Sequence, residues 1–578
     1  MTGVTKRRWG GEQAGPENPE TYLMGRPTLL PHAEGYTPGA IEVEWAQGAS
    51  PGSVNSACSQ TLSARKPGDL GVASPRISGR QAREAKRNPR RTDSEKSDGF
   101  VVPKKPANTR VTPVELVEGR DPAKEKPIAR NTRRTQRRGS VPTYLQWVGQ
   151  RATKDRTTRF NNLYGHLRIP LLRDAFEALR KSAAPGVDKV SWVTYASNLS
   201  VNLANLEERL HRGTYHPPPV RRVYIPKADG KERPLGVPTI EDKLVQQAVR
   251  MILEPIYEQL FLGFSYGFRP GRSQHQALDA LAVAITRRRT NWVLDADIQS
   301  FFETLHHGKL KEMLEERITD RRLVRLIMKW LHAGVWESGT VTTRDQGTPQ
   351  GGVISPLLSN IYLHHVLDRW VHQWRQSEAK RPVYVVRYAD DVVMAFGHGS
   401  EARMCRAALR RRLAEYGLKL HDQKTRLIRF GRFAWDAAKR EGRRKPDTFD
   451  FLGFTHISAR ARDRTFLLLR LTSKKKRQAK FAELSAELRR RRHERIPITH
   501  QWLCSVLRGH YNYYGVPGNL LAMRLFRGQL QRAWYRQLEG RSQRGQRTIA
   551  EWVRFEERYR LLTPRIVHPW PEERFALR

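Results

Sequence analysis

Two apolar stretches of this chain carry aspartates where a buried strand would least tolerate them. In NWVLDADIQSFF (291–302), Asp297 closes an apolar run and Phe302 follows five residues later; in RPVYVVRYADDVVMAF (381–396), Asp390 and Asp391 sit between two apolar β runs, as at a hairpin tip. Three carboxylates on adjacent strand ends suit two Mg2+ ions, one activating a 3′-hydroxyl and one stabilising a departing pyrophosphate. That is the chemistry of nucleotidyl transfer. Hard Mg2+ takes oxygen ligands, and Cys58, Cys405 and Cys504 lie far apart with no CxxC pair, so neither a disulfide framework nor a cysteine-based zinc site is expected. An Asp pair at a hairpin tip also serves ordinary turn chemistry, so the surrounding elements must decide.

Between the acidic segments lies RDQGTPQGGVISPLLSNIYL (344–363), a Gly/Pro loop followed by an apolar helix. Gly347, Gly351 and Gly352 would let backbone approach a substrate closely, or they form a structural turn before a core helix. Upstream, PPPVRRVYIPKADGKERPLGVPT (217–239) predicts a hairpin turning at Asp229-Gly230. LLRDAFEALRKSA (171–183) predicts a helix with Leu172, Phe176 and Leu179 on one face, and EDKLVQQAVRMILEPIYEQLF (241–261) a long amphipathic one. Beyond Asp450 the chain turns helical and basic, with ten Lys/Arg against three Glu in 474–495.

Lys and Arg number 104 against 58 Asp and Glu, a net charge of +46 on 578 residues. Such an excess favours a polyanion partner through counterion release, so nucleic acid is expected; the plain alternative is a basic surface from biased composition. Residues 1 to about 140 are rich in Gly, Pro, Ser, Arg and Lys and read as a disordered extension with a basic run at 130–138. No stretch approaches the roughly 18 apolar residues of a membrane span, and the first residues lack the apolar core of a secretory signal. A soluble, cytoplasmic protein without a membrane partner is expected.

From about Arg159 onward the chain resembles the reverse transcriptases encoded by bacterial group II introns, which also act as splicing maturases. Seven blocks occur in the family's order: RRVYIPKADGKERPLGVPT, FSYGFRPGRSQHQAL, DADIQSFFETLHH, QGTPQGGVISPLLSNIYL, YADD, GLKLHDQKT and FDFLGF. The resemblance implies that Asp297, Asp390 and Asp391 are the catalytic acids holding two Mg2+ ions. It implies that Lys227 and Arg233 grip the incoming dNTP, a role that two cations flanking a turn can fill. It puts Phe302, or Phe301 if the spacing from Asp297 is one residue shorter, under the sugar to exclude a 2′-hydroxyl. Gln350 and Gly351 would lie against the nascent base pair, and Lys424 near the leaving group as proton donor or phosphate contact. Gln299 and Glu303 stand where relatives often have Lys and Asp. His306 and His307 are adjacent helical residues that face apart, and are read as structural.

The implied fold is an α/β (α+β) right-hand polymerase: fingers and palm sheet, a helical thumb or maturase (X) domain, and the basic extension. Its expected parts are 1–145 (extension), 146–220 (helical part of the fingers), 221–460 (fingers and palm), 461–545 (thumb/X) and 546–578 (a DNA-binding-like end). Many relatives continue into an HNH-type endonuclease; none is expected here, so the element would prime from another end. RNA contacts are expected from Lys474, Lys475, Lys476, Arg477 and Arg490, and from Arg508 and Tyr511 in WLCSVLRGHYNYYGVPGN (502–519), where the aromatics could equally form core. Expected partners are group II intron RNA, an RNA template with DNA primer, target DNA and dNTPs. Two alternatives stay open: a free-standing reverse transcriptase with a host defence role, and an RNA-binding splicing cofactor that no longer polymerises.

Overall fold

The computed structural model describes residues 145–226, 232–288, 290–342, 346–348, 351–541 and 548–571. The expected disordered extension, the hairpin tip with Lys227, and Gln350 lie outside them. Among the described residues, eleven strands form three sheets. In chain order, β1 (Val220–Pro226) and β2 (Glu232–Val237) pair as an antiparallel hairpin, as the Asp-Gly turn predicts. β3 (Trp292–Asp297) belongs to a second sheet, while β4 (Val335–Glu337) and β5 (Thr340–Thr342) extend the first in the order β2-β1-β4-β5. β6 (Tyr384–Tyr388), β7 (Asp391–Phe396) and β8 (Arg426–Arg429) join β3 as β6-β7-β3-β8. The third sheet holds β9 (Thr448–Phe451), β10 (Phe454–Arg460) and β11 (Phe466–Thr472).

The second sheet is covered on both faces, which explains why its strands read as nearly continuous apolar runs. Leu294, Ala296, Val385, Val392, Met394 and Phe396 enter the main core. The opposite side chains, Val293, Val386, Val393 and Ile428, pack with helix residues Leu278, Leu281 and Ile285 and with Phe449, Phe451 and Phe454 of the third sheet. Side chains alternate along a strand, so Asp295 and Asp297 share this second face with Val293. The covering layer buries the middle of the face and leaves its acidic end partly open.

The helices follow their apolar periodicity. The predicted helix at 171–183 runs Ile169–Ala178, with Leu172 and Phe176 buried; Leu179, just past its end, is buried too. Helix α1 (Ile240–Tyr257) is capped by Thr239, whose hydroxyl accepts from the Asp242 amide. Helix α2 (Gln274–Arg287) starts with a Ser273/Gln276 capping box. Helix α3 (Ser355–Leu363) continues through a π-helical stretch, His364–Asp368, into α4 (Arg369–Ser377). The basic region forms α5 (Lys474–Arg490), α6 (Ile496–Tyr514), α7 (Leu520–Glu539) and α8 (Ile549–Arg558) around a core of Leu484, Leu503, Met523, Phe526, Trp534 and Phe555. The boundary expected after residue 460 falls at the turn between β10 and β11, which pair along their whole length. Likewise α8 shares its core with α5–α7, across the boundary expected after 545. No described helix is long and apolar enough to cross a membrane.

The π stretch ends on Asp368, which is fully buried against the fully buried Arg387 of β6. Arg387 donates from Nε to Asp368 Oδ1 at 2.7 Å and from Nη2 to Oδ2 at 2.6 Å, a bidentate pair. Its Nη1 donates to Asn360 Oδ1 at 3.0 Å and to the carbonyl of Ala389 at 2.9 Å. His364 Nδ1 is also 4.0 Å from Asp368, yet burial and nearby cations push its pKa down to about 2. It is neutral, and Arg387 alone balances the buried carboxylate. Removing one partner would strand a buried charge, so Asp368→Ala is expected to lower stability by about 3–5 kcal/mol in denaturant titration; a loss of under about 1 kcal/mol would show that the pair is dispensable.

Candidate active site

Asp297 ends β3 and Asp391 begins β7, and the two are register partners. Asp391 also pairs with Tyr388 of β6, so the turn is Ala389-Asp390 and the two neighbouring aspartates occupy its end. Asp391 keeps an exposed edge, but the protein around it and the carboxylates of Asp390, Asp297 and Asp295 raise its pKa to about 7. Burial likewise raises Asp390. Asp295, one step along the same face, is pushed up to about 6 by burial, with Arg426 at 3.6 Å opposing the shift. The field of Arg233 opposes the rise at both Asp390 and Asp391, so the β2 cation lies within electrostatic reach of these acids.

Negative charge crowded at one strand end, with oxygen donors throughout, fits a hard divalent cation. Among the described residues no three His, Cys, Asp or Glu side chains are already drawn together as a chelate. Asp297 instead pairs with Lys424, whose Nζ lies 3.2 Å from Oδ2. The loop before β8 brings that lysine in: His421 N donates to the Asp297 carbonyl at 2.8 Å, and the Asp297 amide donates to Thr425 Oγ1 at 3.3 Å. Lys424 therefore sits at the acids, with its ammonium still largely exposed.

The turn itself is held from below and from the side. Ala389 has φ 57°, a left-handed conformation that a Cβ disfavours, and its carbonyl is fixed by Arg387. The segment 264–268 lies alongside: Arg387 N donates to Phe264 O at 2.9 Å, Tyr266 N to Arg387 O at 2.8 Å, and Asn360 Nδ2 to Gly267 O at 2.8 Å. A Cβ on Gly267 would come within 2.3 Å of the Ala389 nitrogen. Arg387, Asp368, Asn360 and Gly267 escape the motif reading, although an arginine inside the apolar run VYVVRY was a visible signal of a buried pair.

Of the two phenylalanines, Phe301 is buried in the main core, whereas Phe302 lines a cavity of about 210 Å³ with Arg222, Tyr224, Pro234, Gly347 and Thr348. This favours Phe302 over its neighbour. Gly347 and Gly351 need to be glycine for contacts within the protein. With φ 90°, Gly347 would place a Cβ 2.9 Å from Glu303 O; with φ 121°, Gly351 would place one 2.5 Å from Gly236 O of β2. His307 is structural as expected, its Nε2 donating to Gly347 O at 2.6 Å, and His306 caps its helix.

Along the basic helices, Lys474, Lys475 and Lys476 are exposed, Arg477 is half-buried, and Arg490 and Arg508 are exposed, Arg490 pairing with Glu487. Tyr511 is not available to RNA, a correction to the expectation from its motif: it is 4% exposed within the bundle core, and its hydroxyl donates to Leu562 O at 2.9 Å. Cation and aromatic alternate in 508–514 because one helix face is wet and the other packed.

The chain is similar to several known proteins. The family described as reverse transcriptase (RNA-dependent DNA polymerase) matches residues 225–456. Protein YkfC of Escherichia coli K12 is 38% identical over 278 residues, covering 42% of this chain and 72% of that protein. The group II intron-encoded protein LtrA of Lactococcus lactis subsp. cremoris is 38% identical over 235 residues, 40% of this chain and 39% of LtrA. Nuclear intron maturase 4, mitochondrial, of Arabidopsis thaliana is 26% identical over 250 residues, 43% of this chain and 29% of that one.

Because Gly267 touches the turn directly, Gly267→Ala should push Ala389 aside. A stability loss of about 1–3 kcal/mol is expected in thermal or denaturant unfolding; an unchanged midpoint would show that the approach is not tight.

Proposed function

The chain belongs to the reverse transcriptases of the kind that group II introns encode, and from that premise we propose that it is an RNA-directed DNA polymerase that also binds its own intron RNA and assists splicing. The observation that carries the reading is the in-register pairing of Asp297 with Asp391, beside Asp390 and within the field of Arg233. In this reading the sheet β6-β7-β3-β8 is the palm, the sheet of β1, β2, β4 and β5 belongs to the fingers, and α5–α8 are the thumb and maturase part.

Asp297, Asp390 and Asp391 would hold two Mg2+ ions. Bound there, such ions supply activation of a primer 3′-hydroxyl and charge neutralisation at the pyrophosphate it displaces. Lys227 and Arg233 grip the triphosphate of the dNTP as it lies over the acids, Arg233 by its planar fork. Phe302 occupies the space that a 2′-hydroxyl would need, and Gln350 with Gly351 borders the new base pair. Lys424, beside Asp297, contacts phosphate or gives a proton to the leaving group. The template is RNA, the primer DNA, and the copied RNA is the intron itself at a DNA target.

Binding of the intron RNA falls to the basic helices. Lys474, Lys475 and Lys476 open α5 with no acidic residue in its first turn, where the helix dipole is already positive. Cations there repel the helix end, and phosphates relieve that repulsion. Replacing all three by Glu should lower RNA affinity and flatten its salt dependence, reducing the slope of log affinity against log salt by about 2 for three lost contacts on single-stranded RNA. An unchanged slope would place the RNA elsewhere.

Polymerisation and RNA binding use different surfaces in this account. Asp390→Ala is therefore expected to abolish cDNA synthesis on an RNA template while leaving intron binding and splicing largely intact. Loss of splicing in a folded Asp390→Ala protein would contradict that division of labour.

A further inference from the structure

Phe268 stands between two anchored neighbours and is itself half exposed, at 50%. On one side Gly267 is buried against the Ala389-Asp390 turn and bonded to Asn360. On the other, Arg269 is buried; its Nη1 donates to the carbonyls of Leu262 and Ser265 at 2.7 Å each, and its Nε and Nη2 engage Glu258. The loop is therefore rigid where Phe268 leaves it. Its backbone has φ 59°, a region that bulky side chains rarely enter and that glycine occupies freely.

Neither packing nor backbone preference accounts for this residue, since the ring is not buried and its conformation is strained. Strain of that kind concentrates where a side chain is held for use. The place it is held is specific. The Phe268 ring lies 6.4 Å from that of Tyr388, tilted by 45°, and Tyr388 is the register partner of Asp391, which pairs with Asp297. Directly paired side chains share a sheet face, so Tyr388 and the two acids project to the same side. Phe268 thus borders the acid cluster at the sheet edge formed by β6, on a fixed support.

We propose that Phe268, backed by Tyr388, is a contact for the 3′-terminal nucleotide of the primer, its ring lying against the sugar or base and holding the terminus beside the acids. The inference rests on the polymerase reading and extends it. An apolar ring offers a nucleotide's uncharged faces a contact that does not depend on sequence, as a primer end of varying sequence requires. Phosphate contacts are left to Arg and Lys elsewhere.

Backbone strain makes the test sharp. Phe268→Gly relieves the left-handed conformation, so Tm should stay equal or rise, while KM for a DNA primer on an RNA template rises about tenfold, the loss of one base–aromatic contact. KM for the dNTP should change little. Phe268→Tyr should restore the primer KM, and Phe268→Leu, which keeps the bulk without the aromatic face, should not. A glycine variant with unchanged primer KM would overturn the proposal. So would a loss of activity that follows a fall in Tm, or full function in the leucine variant. Failure of the unaltered chain to extend any primer would instead defeat the polymerase reading, and this inference with it.

Discussion

One buried ion pair, Arg387 with Asp368, holds the end of the sheet on which the proposed chemistry depends. Both side chains are wholly removed from water, so each would be costly without the other. Their pairing does more than cancel charge. The remaining Arg387 donor bonds Asn360 and the carbonyl of Ala389, and Asn360 in turn bonds Gly267. Thus the helix beneath the sheet, the loop beside it and the turn that carries Asp390 are tied to a single guanidinium. The π-helical stretch ends on the residue that completes the pair, in keeping with the occurrence of such irregular turns near functional sites.

Around this pair, the sheet resolves a conflict between burial and charge. Its strands must be apolar on both faces because both are covered, yet the acids must lie at one end of one face. Strand alternation puts Asp295 and Asp297 in line with Val293, and antiparallel register puts Asp391 opposite Asp297. The covering layer of α2 and the third sheet ends short of them. The outcome is a carboxylate cluster in a partly desolvated position, with the pKa of Asp391 raised to about 7 and the cations of Arg233 and Lys424 close by. That arrangement is unfavourable for the empty fold and favourable for a site that receives cations and a triphosphate.

Much of this was legible in the sequence because it follows from short-range rules. The three aspartates, the hairpin of β1 and β2, the helix at 240–257 and the structural role of His307 all derive from periodicity, turn residues or spacing. What escaped depends on contacts between distant segments. No local pattern tells that Asp368 meets Arg387, or that Gly351 is glycine because Gly236 lies against it. Tyr511 misled for a related reason: cation and aromatic alternate alike on a helix that binds RNA and on one that packs its aromatic face, and only the partner Leu562 distinguishes them. The boundary expected at 460 falls at the turn of a strand pair that joins the segments on either side of it.

In the proposed reading, the charge excess of the chain and the acids of its sheet serve one substrate class in two ways: basic helices would hold RNA, and the carboxylate end would join nucleotides. The central claim is that the chain copies RNA into DNA at the acids of β3 and β7. Incorporation of single deoxynucleotides by the purified full chain, on a DNA primer annealed to an RNA template, tests it most directly. The account predicts template-dependent extension that stops when divalent cations are chelated and resumes when Mg2+ is restored. Absence of extension at every Mg2+ concentration, or extension that ignores the template or survives chelation, would contradict it.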